Sequence, residues 1–218
     1  MQTPPIERCD TKVSANAGSR GFTLIELLVV MAIMAIVLGM TVAIGPSVLR
    51  SNAMSGGLSK VASALSLARS EAVRARKPTF FVLAPTNSLD ERSYTSYAIL
   101  QADSMYGTNY TYITRWQKLP GGVLFTNSTI AGGIVTNNLP YPTATNTNPL
   151  TPLPCVKFAP EGGLDEVHQA AARIALRGGV RISATNPPDW VGASTETNEV
   201  VVQRLSGKVG IERSGDLK

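Results

Sequence analysis

The chain has 218 residues, a formal net charge of +5, two cysteines and one histidine. So few cysteine and histidine side chains exclude a disulfide scaffold and a zinc site made of clustered ligands. The net charge is too small to demand a nucleic-acid partner. The length suits one ordinary domain together with an anchoring segment.

An uncharged apolar run dominates the first part of the chain. Residues 27–49 contain no charged side chain, and an α-helix needs about 20 apolar residues to cross a bilayer. We therefore predict a transmembrane segment over residues 22–49, with Glu26 near its start. A carboxylate inside such a segment costs about 2.5–3.5 kcal/mol on insertion scales and usually marks a function.

Residues 20–27, Arg-Gly-Phe-Thr-Leu-Ile-Glu-Leu, resemble the signature of type IV prepilins and of type II secretion pseudopilins. The resemblance implies that a prepilin peptidase removes residues 1–21 by cutting between Gly21 and Phe22, and that the new Phe22 amine is methylated. It also implies that an inner-membrane assembly platform adds the mature chain to other pilin or pseudopilin subunits. The product would be a helical fibre with the N-terminal helices bundled in its core.

Glu26 gains a specific partner in that setting. After cleavage, the Phe22 amine would lie about one helical turn from Glu26. A buried carboxylate and a buried amine are both costly unless they pair, so pairing with the amine of its own or a neighbouring chain would favour one axial register. We predict that Glu26 selects subunits during assembly. The alternative is a solvated Glu26 at headgroup depth with no specific role.

Cleavage by a conventional signal peptidase is an alternative to prepilin processing, and the charges around the span bear on its orientation. A conventional signal peptidase could cut near residues 41–43, although the apolar run is longer than the roughly 7–15 residues of a signal peptide. Arg50 and Lys60 follow the run closely, so the positive-inside bias is slight. A cytoplasmic N-terminus and a periplasmic C-terminal domain therefore rest on the resemblance.

The predicted helix continues past the membrane, with an amphipathic part over residues 50–77. Apolar residues recur at intervals of three and four from residue 58 to residue 73, which is typical of one buried helix face. Pro78 disfavours helical geometry in the residue before it. Gly45 and Pro46 indicate a bend, because proline removes a helix hydrogen bond. A static kink and a segment that loosens during assembly both remain open.

Past Pro78 the sequence predicts short strands rich in β-branched and aromatic residues. The predicted strands are residues 79–83, 94–100, 110–118, 122–125, 155–158, 173–176, 180–182, 199–205 and 208–212. Gly178-Gly179 and Ser206-Gly207 are predicted hairpin turns. We predict an α+β fold in which the long N-terminal helix packs against a meandering antiparallel sheet within a β-rich domain of residues 78–218. Residues 126–154, rich in Asn, Thr and Pro, are predicted to form a loop insertion that buries little.

Residues 65–74, Leu-Ser-Leu-Ala-Arg-Ser-Glu-Ala-Val-Arg, resemble the GspH/FimT branch of minor pilins and pseudopilins. That resemblance implies a pilin-like fold and a minor subunit that sits at the fibre tip or primes assembly. Arg69, Glu71 and Arg74 are expected to form a solvated charge cluster worth about 0.2–0.5 kcal/mol per pair. We therefore predict packing and subunit contact here, with no catalytic chemistry.

His168 is the one candidate for catalysis, with Asp165 and Glu166 close in sequence. Nothing else in the chain indicates a catalytic triad, so we predict a surface or turn histidine and no enzyme, cofactor or metal.

The main alternative function is a DNA-binding minor pilin that acts in DNA uptake. Arg204, Lys208 and Arg213 could contact phosphates, but Glu212 dilutes their charge and no aromatic residue alternates with them. We therefore do not expect nucleic acid as a partner. A membrane-anchored ectodomain that never polymerises is the third possibility.

Overall fold

The computed structural model describes residues 22–85, 90–105, 107–126, 134–142, 149–168, 170–181, 190–191 and 197–213, without the side chains of residues 40–50, 180–181, 190–191 and 213. The chain divides into two compact units, Met1–Gly45 and Pro46–Lys218. The helix start belongs to the first unit, and the second part of the helix belongs to the second unit with the sheets.

The helix α1 covers Leu24–Ala75, so it is two residues shorter at each end than the predicted helix. It ends at Arg76, whose backbone is left-handed with a φ of 52°. The Lys77 N–H then donates to the Ala72 carbonyl oxygen at 3.3 Å. These features define a Schellman C-cap, with arginine at the position where glycine is usual.

The helix assignment runs without a break through Gly45 and Pro46. The bend predicted at these residues remains a prediction. Among the described residues, we find no helical stretch with the length and apolar character that crossing a membrane requires.

The second unit contains short strands in three groups. In chain order the strands are β1 (Thr79–Leu83), β2 (Ser96–Ala102), β3 (Tyr110–Tyr112), β4 (Gln117–Lys118), β5 (Val123–Phe125), β6 (Val135–Pro140), β7 (Leu150–Phe158), β8 (Ala172–Gly178), β9 (Val180–Arg181), β10 (Trp190–Val191), β11 (Thr197–Val202) and β12 (Val209–Arg213). A six-stranded sheet has the order β3-β2-β1-β7-β6, with β4 also paired to β2, and a four-stranded sheet has the order β12-β11-β8-β5. β9 pairs with β10 alone.

Every pairing between these strands is antiparallel, which confirms the predicted fold class. The strands do not form the simple meander that the sequence predicts, because β1 pairs with β7, which lies about 70 residues later in the chain. The register there pairs Phe80 with Lys157 and Val82 with Cys155.

The main core lies between α1 and one face of each larger sheet. The helix contributes a buried stripe of six residues: Leu58, Val61, Ala64, Leu65, Ala68 and Ala72. The predicted stripe extended to Val73, but this side chain is 47% exposed. The six-stranded sheet contributes Phe81 and Ile99, and the four-stranded sheet contributes Ile174 and Val200. Burial of these side chains is the dominant favourable term for the domain.

A second core covers the opposite face of the six-stranded sheet. It contains Phe80, Val82, Leu100, Leu139 and Leu153, with half-buried aromatic side chains packed against it. All five residues of β1 are consequently buried. Burial on both faces explains why residues 80–83 of β1 are all apolar, without the alternation of a strand that has one face in water.

Two expectations drawn from the composition of loops are wrong. Residues 126–154 do not form a loop that buries little, because β6 and the first part of β7 lie inside this interval, and Leu139 and Leu153 are fully buried. Gly178-Gly179 is not a hairpin turn, because β8 pairs with β5 and β11, whereas β9 pairs with β10. The turn at Ser206-Gly207 does join two paired strands, β11 and β12.

Candidate functional site

The start of α1 is built by a local cap. The Glu26 N–H donates to the Thr23 Oγ1 at 3.2 Å, and the Leu27 N–H donates to the Thr23 carbonyl oxygen at 3.2 Å. Thr23 is therefore the N-cap residue, and Thr-x-x-Glu is the sequence of a capping box. The cap was readable in the sequence, but the sequence interpretation explained Glu26 only by its charge.

Glu26 lies in the first turn of α1. A carboxylate is favoured there by the partial positive charge at a helix N-terminus. The large apolar side chains on either side of it are exposed, among them Leu24 at 89% and Ile25 at 71%. Within this unit, Glu26 is thus a capped, charged position on an apolar helix surface, the kind of surface that marks an interaction with protein or membrane.

The predicted cleavage junction lies directly before the cap. Phe22 is outside the helix and 80% exposed, whereas Gly21 lies outside the described residues. For Gly45 and Pro46, only the backbone assignment is described.

The C-terminal basic residues lie on and beyond the turn of residues 203–208, which we call the β11–β12 turn. Arg204 and Lys208 are exposed on this turn, and Arg213 ends β12, where it pairs in register with Asn198. No described contact joins the three basic side chains. The DNA-binding reading remains an alternative.

The sequence suggested that Glu212 weakens the positive charge of the basic residues near it, but in the structure Glu212 forms an ion pair with Arg173. Arg173 on β8 contacts Glu212 at 2.8 Å and Glu199 at 3.0 Å through the same Nη1 atom. These carboxylates raise the pKa of Arg173, so the guanidinium stays charged within this group. These three partly exposed side chains join β8, β11 and β12 on the outer face of the four-stranded sheet.

Arg69 contacts a loop that the sequence interpretation did not connect with it. Its Nε donates to the Gly162 carbonyl oxygen at 3.0 Å, so Arg69 does not simply belong to a solvated cluster. The expected pair of Glu71 and Arg74 does form. The sequence offered one hint of this contact, namely the glycines at positions 162 and 207, because glycine marks turns where chain segments can approach closely. Both glycines have a positive φ in the structure.

His168 is completely buried, so the expectation of a surface histidine is wrong. It directly follows a turn, as the alternative expectation had it. Its Nε2 accepts a hydrogen bond from the Lys157 N–H at 2.9 Å. That contact binds the imidazole to β7 and leaves it no role as a general base.

An aromatic cluster of Tyr112, Trp116 and Tyr141 holds the end of β6 against the second core. Tyr112 donates to the Pro140 carbonyl oxygen, and Trp116 donates to the Tyr112 hydroxyl at 3.3 Å. Tyr141 donates to Asp90 at 2.7 Å and packs edge-on against Trp116 with ring centroids 5.2 Å apart. Burial, with Asp90 as a second cause, raises the pKa of Tyr141, so this phenol remains a donor.

The described residues contain no group of three or more His, Cys, Asp or Glu side chains placed to hold a metal ion. A surface groove of about 270 Å³ lies between α1 and the β2–β4 edge and is lined by Ser59, Lys60, Ser63, Ala64, Leu67, Tyr97, Ile99, Thr114 and Gln117. The groove collects one charged side chain and no nucleophile paired with a base, which does not meet the geometry of an acid–base or nucleophilic site.

The family described as the prokaryotic N-terminal methylation motif matches residues 16–42. No curated protein sequence matches the chain. Among solved structures, the chain is similar to the minor pseudopilin EpsH from the type 2 secretion system of Vibrio cholerae, with a TM-score of 0.38 and 13% identity, over 73% of this chain and 95% of that chain. The capped helix start thus lies within the match to the prokaryotic N-terminal methylation motif, and an antiparallel α+β domain follows it.

Proposed function

We propose that the chain is made as a prepilin, loses residues 1–21, is methylated at Phe22 and enters a type IV pilus or a type II secretion pseudopilus as a minor subunit. The match of the methylation motif to residues 16–42 is the observation that carries this proposal. A prepilin peptidase and an inner-membrane assembly platform are its expected partners, and residues 22–49 its membrane anchor.

The helix start supports this chemistry at the expected place. Phe22 is exposed and precedes the Thr23 cap, so an amine created there would not be tied up in a helix hydrogen bond. A methyl donor could reach it without unwinding α1. The neighbouring Gly21-Phe22 bond would be the bond that the peptidase cuts.

Glu26 supports assembly through the helix. None of the described ion pairs involves this carboxylate, and the surface around it is apolar and exposed. Once helices pack side by side, an unpaired carboxylate among apolar side chains would be strongly disfavoured. Pairing with the Phe22 amine of a neighbouring subunit would remove that penalty in one register alone.

Processing is tested by mass spectrometry of the full chain expressed with and without a prepilin peptidase. We expect the product to begin at Phe22 and to carry one added methyl group on its amine. Gly21→Leu is the control, because a bulky residue at the junction should leave the precursor uncut. A native polypeptide that begins at Met1 in the presence of the peptidase, or beyond residue 40, would contradict the proposal.

Assembly is tested separately with Glu26→Leu and Glu26→Gln. We expect both variants to be cut and to reach the membrane, yet to be missing from sheared fibres. Glu161→Gln removes an exposed carboxylate from the other unit and should assemble normally. Normal incorporation of Glu26→Leu would refute the selector role. If the wild-type chain is itself absent from fibres, the non-polymerising ectodomain is the better description.

A further inference from the structure

The only histidine of the chain is held in one protonation state by its position. The His168 side chain is buried, and its Nε2 accepts the hydrogen bond from the Lys157 N–H. A ring nitrogen that accepts a hydrogen bond cannot also carry a proton, so the imidazole is neutral and its proton is on Nδ1.

This hydrogen bond binds the end of β7 on the side that β6 does not reach. β7 pairs with β1 on one side, and β6 covers its other side only as far as Cys155. Beyond Cys155, the Lys157 N–H binds His168, and the Lys157 carbonyl oxygen accepts from the Asp165 N–H at 2.9 Å. Residues 159–168, which we call the β7 loop, thus cover this edge of β7, with a histidine side chain as one of the links.

The β7 loop also connects two other parts of the domain. Arg69 on α1 binds the Gly162 carbonyl oxygen, and the Leu164 N–H donates to the Arg204 carbonyl oxygen in the β11–β12 turn at 2.8 Å. A change at His168 would therefore be passed on to the exposed turn that carries Arg204 and Lys208.

We propose that His168 is a proton-sensitive latch that holds the β7 loop closed at neutral pH and releases it in acid. Protonation places a second N–H against the Lys157 N–H and leaves a cationic ring in a buried site, both of which are unfavourable. Two residues with charged side chains bond His168 through their backbones: the Lys157 N–H donates to the ring, and the Asp165 carbonyl oxygen accepts from the His168 N–H. Their side chains are the Lys157 ammonium and the Asp165 carboxylate. These pair with each other at 2.9 Å.

The direction of the pH effect follows from proton linkage. The unfolded chain binds a proton on histidine near pH 6.5, whereas the closed loop excludes that proton. The closed state is therefore fully stable above about pH 6.5 and loses stability as the pH falls below it. The β11–β12 turn loosens together with the loop.

The test uses the full chain in detergent micelles, measured by NMR from about pH 7.5 to about pH 5, on either side of the histidine range. The imidazole signals belong to His168 alone because the chain has one histidine. We expect exchange of the Lys157 amide, corrected for its intrinsic rate, to quicken about tenfold per pH unit once titration begins. The Leu100 amide in β2 should remain protected and serves as the internal control.

His168→Gln separates the latch from general acid unfolding. The glutamine oxygen can accept from the Lys157 N–H but does not titrate, so the variant should show no acid-dependent exchange at Lys157. Constant protection of Lys157 in the wild-type chain while the imidazole titrates would overturn the proposal. Should the variant not fold, the wild-type comparison of Lys157 with Leu100 still decides the matter.

Discussion

Arg69 and Gly162 join the helix to the β7 loop through one hydrogen bond, from Nε to the carbonyl oxygen at 3.0 Å. Gly207 of the β11–β12 turn lies against both residues. A Cβ at Gly207 would be 1.9 Å from the Gly162 oxygen and 3.0 Å from the Arg69 Nε. Three chain segments therefore meet where one of them has to lack a side chain.

Gly207→Ala should be strongly destabilising. The backbone at Gly207 has a φ of +62°, which costs an L-residue about 1–2 kcal/mol, and the methyl group would also displace a carbonyl oxygen. We expect a loss of at least about 2 kcal/mol in the free energy of unfolding, measured by denaturant titration of the full chain in detergent. Gly210→Ala is the matched control, since nothing lies within 4 Å of its Cβ; equal effects of the two substitutions would refute the close-approach argument.

Gly56→Ala and Gly57→Ala should differ although the two glycines are adjacent in α1. Both substitutions gain about 1 kcal/mol of helix propensity. A Cβ at Gly56 comes no closer than 3.9 Å to Pro120, whereas one at Gly57 meets the Val123 Cγ1 at 3.1 Å. We therefore expect Gly56→Ala to raise the melting temperature and Gly57→Ala to raise it less or to lower it, as thermal unfolding by circular dichroism would show. The reverse order would mean that α1 does not approach β5 so closely.

Arg76→Gly should stabilise the end of α1. Arg76 has a φ of 52°, and glycine adopts this conformation without the steric cost of about 1–2 kcal/mol. Loss of the charge at the helix C-terminus offsets part of the gain, by about 0.3–1 kcal/mol. Arg76→Ala separates the two effects, because it removes the charge but keeps the strain and should destabilise the domain. A glycine variant less stable than the alanine variant would contradict this account.

Cys155 should be unreactive in the folded chain. Burial raises the pKa of this thiol to about 12, and the thiolate is the form that alkylating reagents attack. At about pH 8, close to the ordinary cysteine pKa, we expect modification of Cys155 only in denaturant. The only other cysteine is Cys9, in the predicted leader, so native labelling should mark the precursor and not the processed chain. Rapid native labelling of a processed chain would show that Cys155 is accessible.

Local sequence patterns predicted the features that depend on neighbouring residues. The helix, its buried stripe and the strand after Pro78 follow from periodicity and from the effect of proline. The turn between β11 and β12 follows from Ser206-Gly207. The Glu71–Arg74 pair follows from helical spacing.

The features that sequence could not provide depend on long-range contacts. β6 was missed because Asn, Thr and Pro resemble a loop, although the partner strand β7 buries Leu139. The link of Arg69 to Gly162 spans 93 positions, and no local pattern encodes it. His168 was expected to be exposed because nothing in its neighbourhood indicates that it completes the edge of β7.

β6 and the residues that follow it are held partly through their backbone, in addition to the buried side chain of Leu139. Tyr112 binds the Pro140 carbonyl oxygen, and Arg92 binds the Pro142 carbonyl oxygen at 3.3 Å. Every amino acid offers such an oxygen, so outward-facing side chains nearby can be exchanged while the scaffold is retained. Substitutions at the exposed positions of this edge should therefore leave these two anchoring contacts in place.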